Sequence, residues 1–168
     1  GVSSIVVNPS NPDIIYIGTG DRDAGDAPGY GVWRSTDGGV TWISHKSGMG
    51  NRTVNEIVMD PLDSNKIYAA CSNGYIYKTT DGGKTWNNIL FANNKTGAAD
   101  LVMDPSNPNK LVAAMWEHKR DPWFFKSGGS GSGLHITYDG GKTWSKKTDA
   151  DGLPKGDLGR IGLAIAPN

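Results

Sequence analysis

STDGGVTW (Ser35 to Trp42), TTDGGKTW (Thr79 to Trp86) and TYDGGKTW (Thr137 to Trp144) are one eight-residue phrase written three times along this chain. Asp37 and Asp81 stand 44 positions apart, and Asp81 and Asp139 stand 58 apart. A second phrase repeats out of phase with the first. Asn8-Pro9-Ser10-Asn11-Pro12, Asp60-Pro61-Leu62-Asp63-Ser64-Asn65 and Asp104-Pro105-Ser106-Asn107-Pro108 each follow a short apolar run. They precede IIYIGTG, KIYAACS and KLVAAMW, and a fourth copy begins at Ala166-Pro167-Asn168. Pro beside Asn or Asp is turn chemistry between two extended segments.

Each unit therefore reads as four strands, A to D. In the second unit A is Glu56 to Met59, B is Lys66 to Cys71, C is Tyr75 to Thr79, and D starts at Thr85-Trp86. Tyr75-Ile76-Tyr77-Lys78-Thr79 is β-branched and aromatic, as a half-buried strand prefers. Asp-Gly-Gly between C and D supplies the positive φ angles of a tight hairpin. No dozen residues carry helical periodicity without Gly or Pro interrupting them. The fold expected is all-β, and units of this length point to blades of a β-propeller. Residues 1–50, 51–95 and 96–150 would be three blades, the third with an insertion at 117–133. Residues 151–168 would be a linker and the inner strand of a fourth blade, Ile161 to Ala166. Three blades do not close a ring, so the chain is expected to be part of a larger propeller of about seven or more blades. Self-association of several copies is the alternative.

Lys plus Arg equals Asp plus Glu at 17 each, so no global field recruits nucleic acid or an anionic membrane. No apolar run approaches membrane-spanning length, and no secretion signal is visible. The single Cys71 lies in a predicted strand and rules out a disulfide within this piece; it reads as a small buried apolar residue. Asn51-Arg52-Thr53 and Asn94-Lys95-Thr96 match the glycosylation acceptor pattern, which matters only in a eukaryotic secretory host.

The thrice-written phrase reads as a turn and not as a ligand site. The carboxylates of Asp37, Asp81 and Asp139 can accept hydrogen bonds from turn amides and hydroxyls, while Gly39, Gly83 and Gly141 let the backbone reverse. Trp42, Trp86 and Trp144 share one phase, which places them between neighbouring sheets. On these residues the chain resembles the Asp-box (bacterial neuraminidase repeat) propeller superfamily. That superfamily includes sialidases, sortilin-type receptors, xyloglucanase-type glycoside hydrolases and a photosystem assembly factor. The wording between the boxes is most similar to large secreted bacterial proteins of sortilin-like or glycosyl-hydrolase-like type. The stretches concerned are IIYIGTG with the acidic run after it, Met115-Trp116-Glu117-His118, and Leu158-Gly159-Arg160-Ile161-Gly162. The resemblance implies an extracellular or periplasmic location and a box hairpin far from the ligand face.

In a propeller the D-to-A and B-to-C connections emerge on one face, and function lives in long loops on rigid strands. The second blade has a minimal B–C link, Ser72-Asn73-Gly74, whereas the first has Asp21 to Tyr30 and the third Glu117 to Gly133. A groove is expected there, with walls from blades one and three and its floor on blade two. The third-blade insertion runs Glu117-His118-Lys119-Arg120-Asp121-Pro122-Trp123-Phe124-Phe125, then a Gly/Ser stretch, and resembles a ligand-contacting flap. Trp123 would stack on a sugar or anchor a partner; alternatively, Trp123, Phe124 and Phe125 pack down on a neighbouring blade. Asp21, Asp23, Arg52, Glu117, His118, Arg120, Trp123 and Arg160 are the candidate ligand-binding residues. His118 has no second His or Cys at ligand spacing, so no metal site is expected. Asp21, Asp23 and Asp26 resemble a calcium loop only superficially, because the later bidentate Glu is missing. No other cofactor is implied.

Similarity to xyloglucanase-type enzymes would make Asp21 a weak catalytic candidate. The family's Arg-Thr-Asp-Ile-Gly-Gly wording is absent, and the second acid that glycoside hydrolysis requires would lie outside this chain. Sialidase chemistry requires an arginine cluster, and only Arg52 and Arg160 are suitably placed. Three functions follow. The leading one is a secreted binding module that holds a glycan or peptide on the loop-rich face. The others are part of a polysaccharide-degrading hydrolase and a structural scaffold. The remaining blades of the ring, from the same polypeptide or from other chains, are the expected partners. Nucleic acid and membrane insertion are not expected.

Overall fold

The computed structural model describes residues 1–21 and 28–166. It is all-β apart from one 3-10 turn at Asp149–Asp151. The first sheet holds β1 (Val2–Val7), β2 (Ile15–Thr19), β3 (Val32–Ser35) and β4 (Ile43–Ser44) in sequential order. The second repeats that order with β5 (Val54–Asp60), β6 (Asp63–Cys71), β7 (Tyr75–Thr79) and β8 (Asn87–Phe91). The third has β9 (Thr96–Asp104), β10 (Asn107–Asp121), β12 (Gly133–Thr137) and β13 (Ser145–Lys147), with a fifth strand, β11 (Phe124–Ser127), also paired to β10. All neighbours are antiparallel, as hairpin connections of a few residues require.

The middle sheet is buried on both faces, and the alternation of β6 shows how. Ile67, Ala69 and Cys71 pack with Tyr16, Val32 and Trp86 in the core between the first two sheets. Tyr68 and Ala70 face the other way, into a core with Leu101, Leu111 and Met115 of the third. A period of two thus divides one strand between two interfaces. Cys71 is fully buried, and burial pushes its thiol up to about 12, so it packs as an apolar residue.

Two sets of turns close one end of every sheet. Between the first and second strands, Asn8, Asp60 and Asp104 each accept the amide two residues ahead at 2.8 to 3.0 Å. The amides of Gly38, Gly82 and Gly140 donate to carbonyls of those same turns, Asp13, Asn65 and Asn109. The Asp-Gly-Gly hairpin and the Pro-Asn turn therefore share one face of the molecule. The other face belongs to the remaining connections.

Adjacent sheets are stapled by a recurring bond. Tyr16 on β2 donates its hydroxyl proton to the Gly82 carbonyl of the next hairpin at 2.9 Å, and Tyr68 on β6 donates to Gly140 at 3.3 Å. Opposite each tyrosine stands a cation on the third strand, Arg34 over Tyr16 and Lys78 over Tyr68. Lys78 also donates to Gly140 at 2.8 Å. In the third sheet both positions turn apolar: Val112 faces Ile136 in the same register.

Two expectations are revised. Residues 161–166, expected as a strand, join no ladder among the described residues; a strand needs a neighbour to take its backbone groups, and here only Leu163 N–H is held, by Asp100 at 2.9 Å. The 117–133 insertion, expected as a loop, is partly strand. Its first half prolongs β10 to Asp121, and β11 folds back on it in register, His118 opposite Ser127 and Asp121 opposite Phe124.

Candidate functional site

The β10–β11 ribbon rises from the third sheet because β10 runs past its partners. β9 ends its pairing at Glu117 and β12 at Met115, so His118 to Asp121 are held by β11 alone. An isolated two-stranded ribbon is marginal in water, and its base is accordingly locked by side chains. The Trp116 ring, buried, stacks on His118 at 4.0 Å between centroids and meets Phe125 edge-on at 5.9 Å. Its indole N–H donates to Ser127 at 3.1 Å. Arg120 lies over Phe125, and Arg160 from the C-terminal segment lies over Trp116 at 5.7 Å.

Glu117 organises the Gly/Ser stretch. Its Oε2 accepts the Gly131 amide at 3.0 Å, its Oε1 lies 3.5 Å from Lys126 Nζ, and its own amide donates to Ser132 at 2.9 Å. The amide contact, ahead of the lysine, holds its carboxyl below the ordinary range. A Cβ at Gly129 would collide with this carboxylate, and one at Gly131 would collide with Thr96. The glycines here permit this close packing.

Against the ribbon lies a groove of about 570 Å³. Glu117 to Arg120 and Lys126 form one wall, Asn94 to Gly97 the connection beneath, and Ser72 and Asn73 of the second sheet's minimal turn the far side. The low middle turn bounds the groove, but the wall comes from the third sheet; the first-sheet wall would need residues 22–27. Asp23 and Asp26, and with them the calcium reading, lie outside the described residues. Among the described residues no group of three His, Cys, Asp or Glu gathers to hold a metal ion.

The groove brings together Glu117, His118 and Arg120. Trp123 stands at the ribbon tip, 86% exposed, with Phe124 and Phe125 about half exposed, so the aromatics do not pack down on the second sheet. Arg52 is placed elsewhere, its guanidinium 4.4 Å from the Tyr75 ring centroid, and Arg160 backs Trp116. Asp21 is exposed at the mouth of the first sheet's long connection. The groove also holds Lys95, Lys119 and Lys126, which sequence reasoning did not single out; Lys119 and Lys126 lie within the long insertion, and Lys95 in the connection that precedes the third sheet.

The three aspartate hairpins share one geometry. Asp81 Oδ1 accepts the Thr79 hydroxyl at 2.7 Å and the Thr85 amide at 2.9 Å, while Oδ2 accepts the Thr85 hydroxyl at 2.6 Å. Asp37 and Asp139 repeat these bonds with Ser35 and Thr41 and with Thr137 and Thr143. The threonine hydroxyl ahead of each box carboxylate is the largest influence holding it low, at about 2 for Asp37 and Asp81. Trp86 fills the joint between the first two sheets and donates to the His45 carbonyl at 2.9 Å. Trp144 packs at the second joint, while Trp42 is half buried on the first sheet. In each box both carboxylate oxygens are used locally, within the hairpin.

Serial four-stranded sheets, stapled face to face and closed at one end by aspartate hairpins, define part of a β-propeller with unclosed outer sheets. The Sortilin-Vps10 family model (Sortilin, neurotensin receptor 3) matches residues 30–151, and the chain belongs to that family. No curated protein matches it. Among solved structures it is similar to an ancestral GH74 enzyme, with TM-score 0.69 and 23% identity over 89% of this chain and 20% of that one. It also aligns with the GH74 xyloglucanase from Xanthomonas campestris (TM-score 0.42, 17% identity, 84% of this chain and 29% of that one). A third alignment is with YCF48 from Cyanidioschyzon merolae (TM-score 0.47, 16% identity, 86% and 36%). The chain thus spans well under half the length of each of these proteins. At these identities the likeness is one of fold.

Proposed function

We propose that this chain supplies blades to a secreted propeller that binds a glycan or a peptide in the groove beside the β10–β11 ribbon. The remaining blades, from the same polypeptide or from other chains, complete the ring. The observation that carries this reading is the ribbon itself: a side-chain-locked projection that leaves Trp123 86% exposed, and Phe124 and Phe125 about half exposed, beside a groove of about 570 Å³. Exposed aromatics on a fixed support are the usual anchors of recognition surfaces. Binding is favoured over hydrolysis because Glu117 is the single carboxylate among the described lining residues, and both its oxygens are engaged. Glycoside hydrolysis works with two.

The test is retention of the chain on an array of glycans and peptides, followed by titration with any hit. Trp123→Ala should weaken the interaction by roughly tenfold, the loss expected of one interfacial tryptophan. Unchanged affinity in that variant for every ligand retained would remove the groove assignment. Release of oligosaccharide from a retained glycan would favour the hydrolase reading instead.

A further inference from the structure

The chain carries no net charge, yet the groove does. Its lining holds four cations, Lys95, Lys119, Arg120 and Lys126, against the one carboxylate of Glu117. Glu117 is already committed to Gly131 and Lys126. Lys119 is paired with Asp121 at the exposed edge of the ribbon, at 2.9 Å. Lys95 is exposed on the connection beneath and makes no hydrogen bond or ion pair through its ammonium group among the described residues. The rest of the lining is neutral and hydrogen-bonding: Ser72, Asn73, Asn94, Thr96 and His118, whose Nδ1 is buried without a partner. Among the described lining residues there is no Ala, Val, Leu, Ile or Met.

From this we infer that the groove takes an acidic polysaccharide, a chain of sugars bearing carboxylates, with the rim aromatic Trp123 stacking on a sugar face. The inference rests on the groove reading given above and narrows its ligand class. Three features of the lining favour a sugar acid over an acidic peptide. Hydroxyl and amide side chains both donate and accept, as sugar hydroxyls do. Peptide side chains seek pockets lined by apolar residues, and the described residues lining this groove are polar, charged or glycine. The cations are mostly lysines, compact and hydrated point charges suited to anions spaced along a flexible polymer, whereas planar bidentate clamping of one fixed carboxylate favours arginine.

The experiment measures binding of the 168-residue chain to polygalacturonate, xyloglucan and poly-glutamate, each at low and high salt. The expected result is binding to polygalacturonate that weakens as salt screens the field over about 10 Å, with xyloglucan and poly-glutamate much weaker. Lys95→Glu should reduce polygalacturonate affinity by about fivefold, the order expected when one exposed attraction becomes a repulsion. Lys84→Glu makes the same charge change on an aspartate hairpin at the opposite face and should leave binding unaltered. Equal, salt-independent binding of xyloglucan would overturn the anionic class while leaving the groove reading intact. Equal binding of poly-glutamate, or an equal loss in both variants, would reduce the effect to net charge and overturn the inference. No binding to any of the three polymers, with the fold verified by circular dichroism, would overturn it as well; the groove reading would fail with it only if the wider glycan and peptide array were also blank.

Discussion

Asp81 shows how one side chain can define a repeat. Three bonds from Thr79 and Thr85 converge on its carboxylate, and both glycines after it take the left-handed region, Gly82 at φ 70° and Gly83 at φ 85°. Only the ionised form accepts all of these bonds, so the carboxyl titrates at about 2 in the folded chain, below its ordinary value of roughly 3.9. A depressed carboxylate contributes stability that is complete above its unfolded value and is lost as pH falls through the folded one. The Asp81 contribution should therefore be complete down to about pH 4 and be lost between about pH 4 and 2. Asp81→Asn should lower the melting temperature at pH 7 and flatten that acid limb, which thermal melts across the pH range would check. His135 works in a different window. Burial, aided by Lys146, depresses its imidazole to about 4, so the unfolded chain binds the extra proton first. The His135 contribution should be lost from about pH 6.5 to 4 and change no further below that, and His135→Phe should erase this step while leaving the aspartate limb.

At the scale of elements, the joints between sheets consist of few parts. Trp86 is 2% exposed and bonded to the preceding sheet, so Trp86→Ala should cost about 3–5 kcal/mol, read from urea unfolding. Tyr68→Phe keeps the packing and removes one bond to Gly140, with an expected cost of about 1 kcal/mol. Burial pushes the Tyr68 hydroxyl up to about 12, so it remains a donor through the alkaline range. These strands and hairpins were legible because their causes are local: a period of two in Tyr75 to Thr79, positive φ at Asp-Gly-Gly, and Asx turns after each inner strand. The ribbon was not. Glu117 to Asp121 is a charged run with no apolar alternation, held by pairing to β11 and by Trp116, which lies before it. Arg52 over Tyr75 and Arg160 over Trp116 were equally hidden, since each depends on how separate segments meet. Loop lengths predicted a groove walled by the first and third sheets, whereas the described lining comes from the second and third, with Lys95 outside the insertion and Lys119 and Lys126 inside it.

For the whole molecule, the middle sheet is the measure of the other two. It has a core on each side, whereas the first sheet has one, and its outer side leaves Val2 and Ile5 62% exposed and Val7 45% exposed. Trp42 occupies the position that Trp86 uses to enter a neighbour, but it is only half buried and its indole N–H turns back to its own hairpin, to Gly39, at 3.0 Å. A contiguous apolar strip of this kind on a soluble surface is a contact waiting for a partner sheet. In the 168-residue chain studied alone, that strip should drive association, so sedimentation velocity should show an average mass that rises with concentration. Ile5→Lys with Val7→Lys should return the chain to a monomer without lowering its melting temperature, because neither side chain belongs to a core. A monomer at every concentration in the parent chain would mean that the first sheet's outer side is tolerated bare. The third sheet offers the contrasting case. Its Val112–Ile136 pair replaces the tyrosine and cation that staple the other joints, so a sheet meeting it would pack on apolar side chains without the hydroxyl bond. Substituting Val112→Tyr should therefore leave the isolated chain's stability nearly unchanged, because the hairpin carbonyl that such a hydroxyl would need is absent from that side.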